Sequence, residues 1–128
     1  MKVLVTGASG FVGHAVWLRL NGMSGMIAVG SVRRAAMFAD AGLPLVTVGE
    51  LPAQTDWSGA LAGVQAVVHT AARVHVMQEA AADPLTEFRR VNVQGTLNLA
   101  RQAAWKALLL KRGFMQRIAR GEHVTAED

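Results

Sequence analysis

The run Val3-Leu4-Val5-Thr6-Gly7-Ala8-Ser9-Gly10-Phe11-Val12-Gly13 joins a hydrophobic segment to three glycines spaced three residues apart. Lys2 to Thr6 is apolar and rich in β-branched side chains, and glycines follow at once, as in a buried strand leaving its sheet. Beyond the glycines Phe11, Ala15, Val16, Leu18 and Leu20 recur at roughly helical spacing, and Asn21-Gly22 supplies a stop. Strand, glycine turn and helix therefore follow one another. Each glycine has its own physical role. Gly7 permits a tight exit, Gly10 lets a ligand reach the backbone, and Gly13 lets the helix pack closely on the sheet. Main-chain N–H groups near Gly10, Phe11 and Val12, with Ser9 beside them in the site, then face the ligand with the helix dipole behind them, an arrangement suited to a diphosphate. A glycine-rich turn with no ligand has the same composition. The strand-turn-helix context favours dinucleotide binding.

Outward from this run the chain alternates. Residues 26–32, 45–48 and 66–69 read as further strands, with short helices expected over 34–40 and 56–61. Asp83-Pro84 marks another helix start, the acid as cap and the proline where its missing N–H costs nothing. Phe88, Val91, Leu97, Leu99 and Ala100 give that helix an apolar side that continues through Trp105, Leu108 and Leu109. Such alternation predicts an α/β fold: a Rossmann-like three-layer parallel sheet of about four strands. Residues 1–104 form the dinucleotide-binding half on this reading, and 105–128 an amphipathic helical tail, not a separate domain.

The 128 residues suffice for one compact domain, and a 52% hydrophobic content with a mean hydropathy of +0.27 excludes a disordered chain. No apolar run approaches the ~20 residues of a membrane span. The short N-terminal run cannot serve as a secretory signal, and cysteine is absent, so a cytoplasmic location is expected. The net charge of +4 sits mostly in the tail: residues 1–100 carry seven Lys/Arg against six Asp/Glu, residues 101–128 six against three. Arg101, Lys106, Lys111, Arg112, Arg117 and Arg120 read as the solvated face of a helix, not a nucleic-acid surface.

An acidic residue at the end of the second strand ordinarily accepts hydrogen bonds from the adenosine ribose. Here Ser31-Val32-Arg33-Arg34 offers two guanidinium groups, which suit the 2′-phosphate of NADP by charge and geometry. The same arginines also read as a charged helix start. The cofactor is thus NAD or NADP, with a lean to NADP.

Four blocks together resemble the extended short-chain dehydrogenase/reductase family, in its NAD-dependent epimerase/dehydratase branch, which includes the UDP-glucose 4-epimerases. They are residues 3–13; Val48-Gly49-Glu50-Leu51; Val67-Val68-His69-Thr70-Ala71-Ala72; and Val91-Asn92-Val93-Gln94-Gly95-Thr96-Leu97-Asn98-Leu99. The resemblance covers residues 1 to about 104. It implies that Glu50 contacts the adenine amino group and Leu51 packs on the base, although Glu50 also reads as a solvated loop acid. It further implies that Thr70, Ala71 and Ala72 pass beside the cofactor, where small side chains leave room, and that Asn92 helps order the catalytic centre. Core packing alone would also favour alanine at the two positions. Arg73-Val74-His75-Val76-Met77 follows as a loop above the sheet, where Arg73 either meets a nucleotide phosphate or is an ordinary surface arginine. His69, at a strand end, reads as a hydrogen-bonded structural residue. His14, His75 and His123 have no partner at ligand spacing, so no metal site is expected.

The family's chemistry uses a tyrosine, a lysine four residues later, and a Ser or Thr that orients the substrate hydroxyl. This chain has no tyrosine. Where the resemblance calls for a fifth buried strand, residues 105–118 read as helix and contain no serine, so the resemblance implies an NAD(P)-binding Rossmann-like three-layer sheet truncated after about four strands, with 105–128 a divergent tail. Thr125-Ala126-Glu127-Asp128 again looks like family sequence. A fragment of a sugar-nucleotide epimerase/dehydratase, inactive alone, is the leading expectation. A non-catalytic NADP-binding module and a reductase of non-sugar carbonyls are the alternatives. A sheet ending at its fourth strand exposes an edge that invites pairing with another chain, hence a homo-oligomer, unless Trp105, Leu108, Leu109, Met115 and Ile118 cover it.

Overall fold

The computed structural model describes residues 1–34, 42–49, 53–74 and 81–121. Four parallel strands, β1 (Lys2–Thr6), β2 (Ile27–Val32), β3 (Leu45–Thr47) and β4 (Ala66–His69), form one sheet in the order β3-β2-β1-β4. β1 lies in the middle because it carries no polar side chain between Val3 and Val5 and is buried on both sides. Val3 and Val5 face α1 (Phe11–Asn21), packing with Trp17, Ala28 and Val32, while Leu4 faces the opposite layer with Trp57, Leu61 and Leu99. Period-two alternation along one strand thus divides two cores, and helices cover both faces, as expected of the three-layer fold. Trp17 and Trp57 are fully buried anchors, one per layer. Each stabilises the fold by about 2–3 kcal/mol through the area it removes from water.

α1 ends where the sequence predicts, by a different device. Gly22 has φ −83°, which any residue adopts, so it is not the left-handed cap a terminal glycine usually provides. Asn21 fixes the end instead. Its amide donates to the Trp17 and Ala28 carbonyls at 3.0 and 2.9 Å and accepts from the Ala28 N–H at 3.0 Å, tying the helix to β2. The helix expected over 56–61 does not form. The Leu61 N–H bonds the Trp57 carbonyl at 2.9 Å, but Ala62 then closes on Gly59 and Gly63 turns with φ 70°, so tight turns bury Trp57 and Leu61. Of the helix expected over 34–40, residues 35–40 lie outside the described residues.

The long helix begins as predicted, with Asp83 accepting the Thr86 N–H at 3.2 Å. It is not continuous. α2 (Pro84–Arg89) passes into a π turn (Arg90–Gly95) before α3 (Thr96–Ala119). At the junction the Thr96 hydroxyl, on the first residue of α3, donates back to the Asn92 carbonyl of the π turn at 2.7 Å, and residues 105–119 continue α3. Such wide turns interrupt helices frequently at functional sites. At the free edge of β4 a groove of about 500 Å³ runs between Ala66, Val67, Ala103, Lys106 and Ala107. Trp105 and Leu108 point to solvent at 62% and 54% exposure, contrary to the expectation that they cover this edge. The side chains of Leu109, Met115 and Ile118 lie outside the described ones.

Candidate functional site

Thr6 is in register with Ser31 on β2 and with His69 on β4, so three strands end side by side. Ligands of open parallel sheets bind beyond such carboxyl ends. A cleft of about 680 Å³ lies there, walled by the glycine turn, the end of β2, the start of the segment after β3, the segment after β4, and α2 with the π turn. That volume is within the range of small-molecule and cofactor sites.

The turn is built by close approach. Gly7 has φ 68°, and a Cβ there would stand 2.8 Å from the Ala71 nitrogen. A Cβ on Gly13 would run into the Gly7 carbonyl oxygen and come within 2.5 Å of the Thr70 hydroxyl. Strand, helix and the 70–71 backbone therefore touch through glycine alone. Gly10 is different. Its N–H donates to the Gly7 carbonyl at 2.9 Å, so it closes the turn and is not available to a ligand. Phe11, Val12 and Gly13 open α1 with no side-chain cap at Gly10, and Phe11 is 97% exposed. Uncapped first-turn N–H groups at a helix start, set in a cleft, match a diphosphate and its charge. A dinucleotide fits the residues present.

Of the residues singled out by sequence, Gly7, Ser9, Gly10, Phe11, Val12, Gly13, Arg33, Thr70, Ala71 and Ala72 all line this cleft. Glu50 and Leu51 lie outside the described residues, as do His75, Met77 and His123. Asn92 does not line it. Its side chain accepts the Arg73 N–H at 2.7 Å and donates to the Arg73 carbonyl at 2.8 Å, clamping the segment after β4. Arg73 does line the cleft, with its guanidinium 5.3 Å from the Phe88 ring centroid. Glu87 and Arg90 were not singled out by sequence, yet they wall the same end as an ion pair at 2.9 Å. The Arg90 hydrogen bond, with the charges of Arg90 and Arg73, holds the Glu87 carboxyl below its ordinary range. The three-residue spacing of Glu87 and Arg90 was the available signal.

Beneath the cleft floor His69 is bound at both ring nitrogens, Nδ1 to the Thr6 hydroxyl at 2.6 Å and Nε2 to the Thr96 hydroxyl at 3.0 Å. The Thr6 hydroxyl oxygen also accepts the Thr70 and Ala71 N–H groups at 3.1 and 3.3 Å, and the Thr70 hydroxyl donates to the Thr6 carbonyl at 2.6 Å. Burial pushes the His69 ring below its ordinary value of 6.5. Among the described residues no group of three metal-ligating side chains occurs, and no helix is long and apolar enough to cross a membrane.

A glycine turn feeding a helix at the centre of a parallel sheet, with a cleft over the strand ends, defines a Rossmann-like protein. Residues 3–112 match the NAD dependent epimerase/dehydratase family, and the chain belongs to it. The chain is 46% identical over 102 residues to the UDP-glucose 4-epimerase of Vibrio cholerae, a match covering 80% of this chain and 30% of that protein. Among solved structures it is similar to the UDP-glucuronic acid 4-epimerase of Bacillus cereus in complex with UDP-glucuronic acid and NAD, at 26% identity and a TM-score of 0.60. That match covers 77% of this chain and 35% of the other. A reductase engineered to attenuate substrate inhibition in asymmetric catalysis shares the fold at 24% identity and a TM-score of 0.64, over 79% of this chain and 32% of its own. The chain thus spans about one third of the length of these proteins.

Proposed function

We propose that residues 1–104 are the NAD(P)-binding half of a sugar-nucleotide epimerase/dehydratase, and that 105–128 extend its last helix without forming a second domain. A bound nicotinamide cofactor would supply reversible hydride transfer at a sugar carbon in the full-length enzyme. This chain's residues hold and orient the cofactor. The observation that carries the reading is the glycine turn, whose contacts leave no room for a Cβ at Gly7 or Gly13 and whose helix start, without a side-chain cap, lines the cleft.

On this proposal Phe11 and Val12 donate main-chain N–H groups to the diphosphate, with Ser9 and Gly10 beside it. Thr70, Ala71 and Ala72 border the nicotinamide half, Glu50 and Leu51 the adenine. Arg33, on the cleft wall at the end of β2, takes the adenosine 2′-phosphate and favours NADP. Asn92 acts through the Arg73 peptide. The chain works in the cytoplasm on this reading, and its complete form takes a sugar nucleotide.

Isothermal titration calorimetry with NAD and NADP tests the assignment. Gly10→Asp sets a carboxylate against the diphosphate and abolishes binding of both. Arg33→Ala weakens NADP about tenfold or more, the scale of a lost charge-assisted hydrogen bond, and leaves NAD unchanged. Unaltered affinity in Gly10→Asp overturns the cradle. A second reading, a non-catalytic NADP-binding module, draws on the absence of tyrosine from these 128 residues. Without a phenolic proton donor, general acid/base catalysis worth about 10²–10⁴-fold is missing, so no turnover of UDP-glucose is expected from these residues alone. A Tyr-x-x-x-Lys pattern in any frame of the DNA within or after the tail-coding segment decides for the enzyme, and its absence decides for the module.

A further inference from the structure

We propose that His69 is a positioning residue of the cleft: through the Thr6 hydroxyl it holds the Thr70 and Ala71 backbone against the glycine turn, and only its neutral form can do so. The proposal rests on the dinucleotide-site reading for its consequence, though not for its geometry.

Proton counting fixes the direction of every bond in the chain. The Thr96 hydroxyl has one proton and gives it to the Asn92 carbonyl at 2.7 Å. It can then only accept from His69, so Nε2 carries the ring proton. In a neutral imidazole Nδ1 is therefore a bare acceptor, and the Thr6 hydroxyl donates to it at 2.6 Å. With its proton committed, the Thr6 oxygen uses both lone pairs on the Thr70 and Ala71 N–H groups. Every donor and acceptor in the relay from Asn92 to Ala71 is matched.

Protonating Nδ1 breaks this closure at one place. The ring then presents a donor to an oxygen that already accepts twice. To take it, Thr6 must release one of the two N–H groups and turn its own proton elsewhere. The released backbone is the wall that packs on the turn: the Ala71 nitrogen and the Thr70 hydroxyl are the atoms that a Cβ on Gly7 or Gly13 would strike. A loosened wall therefore loosens the cradle. Titratable side chains on the surrounding elements include Lys2 on β1, His14 and Arg19 on α1, Arg33 and Arg34 after β2, Arg73 after β4, Asp83, Glu87, Arg89 and Arg90 on α2, its cap and the π turn, and Arg101 and Lys106 on α3. None is hydrogen-bonded to the ring, both of whose nitrogens face threonines, and burial is the cause that lowers its proton affinity.

Amide NMR of the chain from pH 8 to pH 5 reads this directly. The Thr70 and Ala71 resonances move together with the His69 ring, at a midpoint below 6.5. In parallel, affinity for NAD, chosen because a 2′-phosphate itself titrates near ~6, falls roughly five- to tenfold across the transition, the loss of about one hydrogen bond. His69→Asn keeps an acceptor oxygen near the Nδ1 position and cannot titrate, so it retains the neutral-pH affinity and flattens both profiles. His69→Leu, with no acceptor, binds weakly at every pH. A His69 ring that titrates while the Thr70 and Ala71 amides stay still overturns the proposal, as does a His69→Asn profile equal to the wild type's. Should NAD fail to bind at any pH, the cofactor reading falls while the amide titration still decides the role of His69, and it decides alone if the variants do not fold.

Discussion

Single atoms set the tolerances at the site. Gly13 meets the Gly7 carbonyl oxygen and the Thr70 hydroxyl where any other residue would place a Cβ. Gly13→Ala is accordingly expected to lower stability by about 1–3 kcal/mol, because backbone must move to admit one methyl group; a urea unfolding midpoint measures it. His69 has a second consequence, for stability. Its folded-state proton affinity is depressed, so below 6.5 the unfolded chain takes up a proton that the fold refuses. Stability is full above pH 6.5, falls as the pH drops through the lowered folded-state value, and then levels off. Urea midpoints of the wild type and His69→Asn should diverge over that interval and run parallel above it. A constant difference from pH 8 to pH 5 would show that the ring's titration does not matter to folding.

At the scale of elements, side chains and not backbone signals decide how helices stop and join. Asn21 ends α1 by bonding Ala28, whose own burial is complete. Asn21→Ala leaves the Ala28 N–H without that acceptor, and the expected cost is about 1–3 kcal/mol in thermal or urea unfolding. Asn21→Asp keeps the accepting oxygen and should recover part of it. Replacement of Gly22 by Ala should cost far less, since Gly22 has an ordinary φ of −83°. The π turn between α2 and α3 belongs to the same scale. It places Asn92 on the Arg73 peptide and Thr96 under His69, joining the long helix to the end of β4 in two places.

For the whole molecule the unbalanced feature is the side of the sheet beyond β4. The groove along Ala66 and Val67 and the exposed Leu97, Trp105 and Leu108 leave apolar surface facing water. Self-association that grows with concentration is the expected result, read by light scattering. Trp105→Glu should reduce it while leaving the unfolding free energy within about 0.5 kcal/mol, because the side chain is already in solvent. A large loss of stability in that variant would mean that Trp105 packs against something in the folded chain.

The buried first strand and the place of the cleft were legible in the opening residues, since short-range patterning alone dictates a buried strand, a tight turn and a helix start, whereas the order β3-β2-β1-β4 was not. Gly7, Gly10, Gly13, Arg33, Thr70, Ala71 and Ala72 line the cleft for that reason: they belong to segments that leave neighbouring strands at one edge. What no local pattern contained was the partner of each polar side chain. That Gly10 spends its N–H inside the turn, that Asn92 grips Arg73, that 56–61 folds as turns around Trp57, and that Thr6, His69 and Thr96 form one directed relay are set by atoms up to 65 residues apart. Sequence prescribes where a chain can be apolar, tight or extended; only packing decides which donor finds which acceptor.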